Sequence, residues 1–254
     1  MEISKRARKK APAPRGGASS IMRGTGDAVW VLALGIVISL FVFPASSAIL
    51  FALTERHPYL MGFAKFFILA SMGDLLAIRI AEKSWRLPTG LFPKALAWGV
   101  VGLLVVLMFS LFSLGVAAAA DRGLLPVGTG GLQTFMLAFW TSALMNLSFG
   151  PVFMAAHRVS DAYIESRGQG GRPRLADALD LVDWKRFILL ILGRTIPLFW
   201  IPAHTVAFLL PPRYRVLMAA LLSIALGVIL SWTKERRAMP GEEAPTVRRE
   251  DKRL

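Results

Sequence analysis

The sequence contains no cysteine and only three histidines, His57, His157 and His204. Without cysteine there is no disulfide, no thiolate nucleophile and no thiolate metal ligand. Histidines so far apart do not build a His-rich metal centre, and no metal is expected. The H-E-x-x-H, G-x-x-x-x-G-K-[ST] and G-x-S-x-G motifs are all missing, so the expectation is no enzyme and no cofactor. Acid is scarce as well: 16 Asp and Glu stand against 30 Lys and Arg, a formal net charge of +14. In a soluble chain that balance would suggest nucleic acid. Here the basic residues gather at the ends of apolar runs, where membrane orientation and anionic headgroups account for them, and no nucleic-acid partner is expected.

What is abundant is apolar sequence. Hydrophobic residues make up 55% of the 254, with a mean hydropathy of +0.54, which is the composition of an integral membrane protein. A helix rises ~1.5 Å per residue, so about twenty apolar residues cross a ~30 Å hydrocarbon layer. Six runs qualify, at about 28–53, 59–80, 93–119, 131–156, 186–210 and 213–232. The predicted fold is therefore an all-α integral membrane bundle of about six transmembrane helices with short outer loops. Residues 1–27 read as a disordered basic cytosolic tail and 233–254 as a disordered charged one. Residues 157–185 read as a cytosolic loop containing a short interfacial helix, with Leu175, Ala178, Leu179 and Val182 on one side. Pro44 should kink the first span, and Pro211-Pro212 should reverse the chain between the last two.

Charge predicts the topology. With the amino terminus inside, the inner segments hold twenty-four Lys and Arg and the outer loops hold four, Arg56, Arg122, Arg213 and Arg215. Lys65 and Arg194 lie within spans. By the positive-inside rule both termini are cytosolic. An Ala-, Leu-, Gly- and Arg-rich chain fits a bacterial inner membrane. The Arg-rich, acid-poor first segment keeps a mitochondrial inner or peroxisomal membrane as the alternative.

Ionised groups at membrane depth cost at least ~2.5–3.5 kcal/mol and usually face a partner or water. Asp74 and Arg194 are expected at similar depths, which predicts an ion pair between them. The pair either fixes helix register or closes a polar path that includes Thr134, Ser142, Asn146 and His204. Small residues recur every four positions in two spans: Thr134, Ala138, Ser142, Asn146 and Gly150 in the fourth, and Ala219, Ser223, Gly227 and Ser231 in the sixth. Such stripes allow close helix approach in a bilayer. Asp177, Asp180 and Asp183 drift around a helix at their spacing and read as a solvated face.

Several of these residues also form a pattern in chain order. His57-Pro58, Gly73-Asp74, Pro211-x-x-Tyr214-Arg215 and Leu230-Ser231-Trp232 resemble the Mpv-seventeen/peroxisomal-membrane-protein family, small multi-span proteins of mitochondrial inner and peroxisomal membranes. The resemblance runs from about residue 55 to 235 and is densest over 199–232. It implies a shared helical architecture and a pore of low selectivity, and it carries over Gly73, Asp74, Pro211, Tyr214 and Arg215. The chain departs from the family at Trp200-Ile201-Pro202, at His204, where the family has Gln nearby, and at Ala77-Ile78-Arg79, where the Gln after Gly-Asp is missing.

Two functions are thus open: a channel or low-selectivity small-solute transporter, or a structural or assembly subunit packed against another membrane protein or a second copy. Stripes of spans four and six facing each other, with Asp74 and Arg194 lining a wet cleft, would favour the first. Stripes facing lipid would mark a partner surface.

Overall fold

The structure is a computed structural model, and it describes residues 16–237, with side chains from 24 to 227. The predicted tails at 1–15 and 238–254 lie outside the described residues. Every regular element among the described residues is helical. In order they are α1 (Gly16–Val42), α2 (Pro44–Arg56), α3 (Pro58–Glu82), α4 (Leu91–Asp121), α5 (Gly130–Gly168), α6 (Leu175–Asp180), α7 (Trp184–Leu209) and α8 (Pro212–Arg237). Five of them are long and apolar enough to cross a membrane: Gly24–Val42 within α1, then α3, α4, α5 and α7. The count is five against the six expected. The sixth run is helical within α8, but it opens with Arg213 and Arg215, and its described side chains end at Gly227, short of a full crossing length.

Helix ends follow local chemistry. Pro44, Pro58 and Pro212 each open a helix, where a missing N–H costs nothing. The first apolar run is broken at Phe43, which is extended (φ −69°, ψ 128°), so Pro44 does more than kink it. Ten helical residues would separate Phe41 from Phe51 by ~15 Å along an axis, yet their ring centroids are 6.3 Å apart. The chain therefore turns sharply, and α2 is not the end of the first crossing.

The two predicted boundaries next to the tails also move. Residues 16–27, expected to be disordered, belong to α1, because extending a formed helix needs only one hydrogen bond per residue fixed. Likewise α5 continues to Gly168 through half of the expected cytosolic loop. It stops where Gly168, Gly170 and Gly171 begin, with Gly170 at φ +87°. The predicted short helix is α6, in which Asp177 accepts a hydrogen bond from the Arg174 backbone N–H at 2.7 Å. Ala178 and Val182 are buried beneath it, while Leu175 and Leu179 stay exposed.

α3 is the centre of the bundle, with α4 on one side and α8 on the other. Glycine makes both approaches. A Cβ on Gly62 would lie 2.8 Å from the Gly102 carbonyl oxygen, and one on Gly73 would lie 3.1 Å from the Ile224 Cα. Phe66, Leu69 and Ala70 of α3 fill the core with Val101 and Phe109 of α4, Phe208 of α7, and Ala219, Ala220 and Ile224 of α8. Burying one such side chain contributes about 1.5–3 kcal/mol in water. In a bilayer the gain comes instead from close contact.

α1 is attached differently. None of its membrane-crossing window is buried, and it reaches the core through the large side chains Trp30, Leu34, Val37 and Phe41. At the end of the bundle that carries Lys83, Arg86 and Lys94, here called the basic end, Asp27 accepts two hydrogen bonds from Arg79 at 2.8 Å and a third from Trp85 at 2.8 Å.

Candidate functional site

Two polar clusters lie along one face of α5, at different depths. The first is in mid-bundle, where α5 meets α7. Ser142 donates to the Ile201 carbonyl at 2.7 Å. Asn146 donates to the Ser142 carbonyl at 2.8 Å and contacts His204 Nδ1 at 3.1 Å. Thr205 donates to the same Ile201 carbonyl at 2.7 Å. Ser142, Asn146, His204 and Thr205 are all buried. The His204 ring stacks on Trp200 (centroids 5.0 Å, 29°) and meets Phe109 edge-on at 5.5 Å. The four polar side chains Ser142, Asn146, His204 and Thr205 are each hydrogen-bonded, as a buried polar network must be to be stable, while Trp200 Nε1 beside them is a buried atom with no partner among the described residues.

The winding of α7 creates this arrangement. Phe187–Trp200 is a π-helix of 14 residues, far beyond the single turn that π-helices usually occupy. Pro197 inside it has no N–H to give, and the Thr195 hydroxyl bonds five residues back to the Leu190 carbonyl at 3.0 Å. The helix returns to α-geometry at Ile201, where the shared carbonyl sits.

The second cluster is at the basic end, where α3, α4 and α5 converge. Trp98 donates to an Asp74 carboxylate oxygen at 2.7 Å, and the Trp98 ring lies 4.1 Å from that of His157. His157 Nε2 is 3.6 Å from Asp161 Oδ2, one turn further on. Lys94 pairs with Glu165 at 2.6 Å. His157 Nδ1 and Asp161 Oδ1 are buried atoms with no hydrogen-bond partner among the described residues.

Asp74 and Arg194 are not brought together. Asp74 bonds to Trp98, whereas Arg194 is exposed on α7 and makes no ion pair among the described residues. Arg194 lies on the π-helical stretch of α7, where Ile196 two residues on is buried and Arg194 is not. Thr134 is exposed near the start of α5 and stands apart from Ser142 and Asn146. The two small-residue stripes do not meet. Ser142 and Asn146 of the α5 stripe face α7, and Ala219, Ser223 and Gly227 face α3, where a Cβ on Gly227 would lie 3.1 Å from the Gly73 carbonyl oxygen. Gly73 is accordingly a packing residue. The Ser231 side chain lies outside the described residues.

Tyr214 and Arg215 tie several helices together at the opposite end. The Tyr214 ring meets Phe51 of α2 edge-on at 4.9 Å, and Arg213 lies over both rings. Arg215 donates to the Leu210 carbonyl at 3.0 Å and to Ser113 at 3.4 Å. Pro211 is exposed in the turn between α7 and α8. Nearby Lys65, although buried, donates to Thr54 at 3.0 Å.

Sequence reasoning missed Trp98, His157, Asp161 and Glu165 as a group. The i, i+4, i+8 spacing of the last three was the available signal, and it stayed hidden because α5 was expected to end at 156. No group of three or more His, Asp or Glu among the described residues is arranged to hold a metal ion.

The arrangement is that of a multi-pass, all-α membrane protein, with two of its polar clusters along one long helix, α5. No family model, curated protein or solved structure matches the chain.

Proposed function

We propose that the protein is a channel or low-selectivity transporter for small polar solutes, held here with its path closed. The observation that carries this reading is the polar face of α5. Ser142 and Asn146 lie on it in mid-bundle, and His157 and Asp161 lie on it at the basic end. Asn146 and His157 are separated by ~16 Å of helix, an interval occupied by Gly150 and Phe153. Ile196 of α7, 1% exposed, approaches Gly150 and would lie 3.6 Å from a Cβ there. An apolar constriction of this kind blocks polar solutes by excluding water. The clefts between Gly90, Pro93, Tyr163 and Gly168 are on the outside of the bundle and play no part.

The membrane we assign is a bacterial inner membrane, with a mitochondrial inner or peroxisomal membrane as the alternative. Both termini are cytosolic if α8 also crosses, which the twenty-four to four partition of Lys and Arg supports. The ordered motifs around Gly73-Asp74 and Tyr214-Arg215 support membership of the Mpv-seventeen family. We assign no enzymatic activity.

Solute flux into liposomes containing the purified protein tests the transport reading. Ile196→Ala should raise flux about tenfold, equivalent to removing ~1.4 kcal/mol from the barrier. Arg194→Ala should leave it unchanged. If neither the wild type nor Ile196→Ala passes solute above protein-free vesicles, the transport reading fails.

One observation favours the second reading, an assembly subunit. Arg194 is exposed well inside the apolar α7 and has no ion-pair partner among the described residues. A lipid-facing charge is costly unless the side chain reaches the interface or a neighbouring protein covers it. Loss of a crosslinked higher-mass species on Arg194→Ala would support that role.

A further inference from the structure

We propose that His157, Asp161 and Asp74 form a proton-binding site that sets whether solute passes, a reading that rests on the transport function above. Three helices contribute charged or titratable groups to it: Asp74 from α3, Lys94 from α4, and His157, Asp161 and Glu165 from α5. On α6, Asp177 is turned to the Arg174 backbone N–H, and Lys94 is occupied by Glu165. Asp161 and Asp74 thus both lie near the His157 imidazole, the first directly and the second through Trp98. Buried polar atoms are nearly always bonded, yet His157 Nδ1 and Asp161 Oδ1 are buried with no partner among the described residues. His157 Nε2 stands 3.6 Å from Asp161 Oδ2, longer than a hydrogen bond. A proton bound by His157 changes this balance. The imidazole becomes a cation with N–H groups at both nitrogens, and the paired acid side chains gain a positive neighbour.

The site is coupled to the bundle through Trp98. Its indole N–H holds Asp74 on α3, and its ring lies against His157 on α5. Charging His157 draws Asp161 along α5 and competes with Trp98 for Asp74. It thereby acts on the contact between α3, α4 and α5 one segment away from the Gly150–Ile196 constriction.

Trp98 also reports on the site, because an imidazolium against an indole quenches its emission. The full-length protein in lipid nanodiscs is titrated from pH 8 to pH 5, and Trp98 emission is taken as the difference between wild type and Trp98→Phe. The expected result is a single sigmoidal loss of Trp98 emission on acidification. His157→Gln should abolish it. In parallel, liposome flux in the wild type should change over the same pH interval, and in His157→Gln it should not. A flat wild-type Trp98 titration overturns the proposal without any variant being needed. So does a sigmoidal titration accompanied by measurable flux that ignores pH. Absence of flux at every pH, with Trp98 still titrating, counts instead against the transport function.

Discussion

The two clusters on α5 are built from similar residue types and are used differently. In mid-bundle, Asn146, Ser142, His204 and Thr205 bond to one another and to the Ile201 carbonyl, and the one unpartnered buried atom beside them among the described residues is Trp200 Nε1. At the basic end, His157 and Asp161 stand slightly too far apart and keep two buried atoms without partners. A bonded network resists change, because any movement breaks bonds that lipid cannot replace. An incomplete charged cluster can accept a proton with little rearrangement. The first therefore belongs to the fold, and the second is the place where conditions outside the protein can act on it.

That distinction can be broken by measurement, and the largest effect should come from mid-bundle. Asn146→Leu leaves His204 Nδ1 buried without its partner and removes the link to Ser142, and should cost about 1–3 kcal/mol in reversible unfolding from mixed micelles. His204→Phe keeps the ring stacked on Trp200 and loses only the Asn146 contact, so about 0.5–1.5 kcal/mol is expected in the same assay. Asp161→Asn should cost less than ~0.5 kcal/mol, as expected of a loose i, i+4 pair. Equal losses for Asn146→Leu and Asp161→Asn would show that both clusters are structural. Smallest of all, Arg194→Ala should leave the unfolding free energy within about ±0.5 kcal/mol of the wild type.

Glycine at the two seams around α3 provides a sharper check on how much the sequence already says. Gly73 and Gly227 could be read as small residues on periodic faces, but their contact with each other depends on how α3 and α8 are rotated. Periodicity marks a face without naming what covers it. The same limit explains the stripes on α5 and α8, which were legible as stripes and cover two different helices. The reversal at Pro211-Pro212 was readable because proline acts locally, whereas Pro44 was readable only as a kink and not as a helix start. The extension of α5 to Gly168 was not, since charged residues such as Arg158, Asp161 and Glu165 suit a helix end and a solvated loop equally well.

Hydropathy summed over twenty residues is a property of adjacent positions, and so the chain alone established that this is an all-helical membrane protein with polar groups placed at chosen depths. It also marked, through proline, where the chain reverses before the last helix. Partnership required the tertiary structure. Reading faces at a fixed angle per residue assumes α-geometry, and the π-helix from Phe187 to Trp200 changes that angle. On that stretch Arg194 is exposed and Ile196 packs near Gly150 of α5, while Asp74 bonds to Trp98 beside His157.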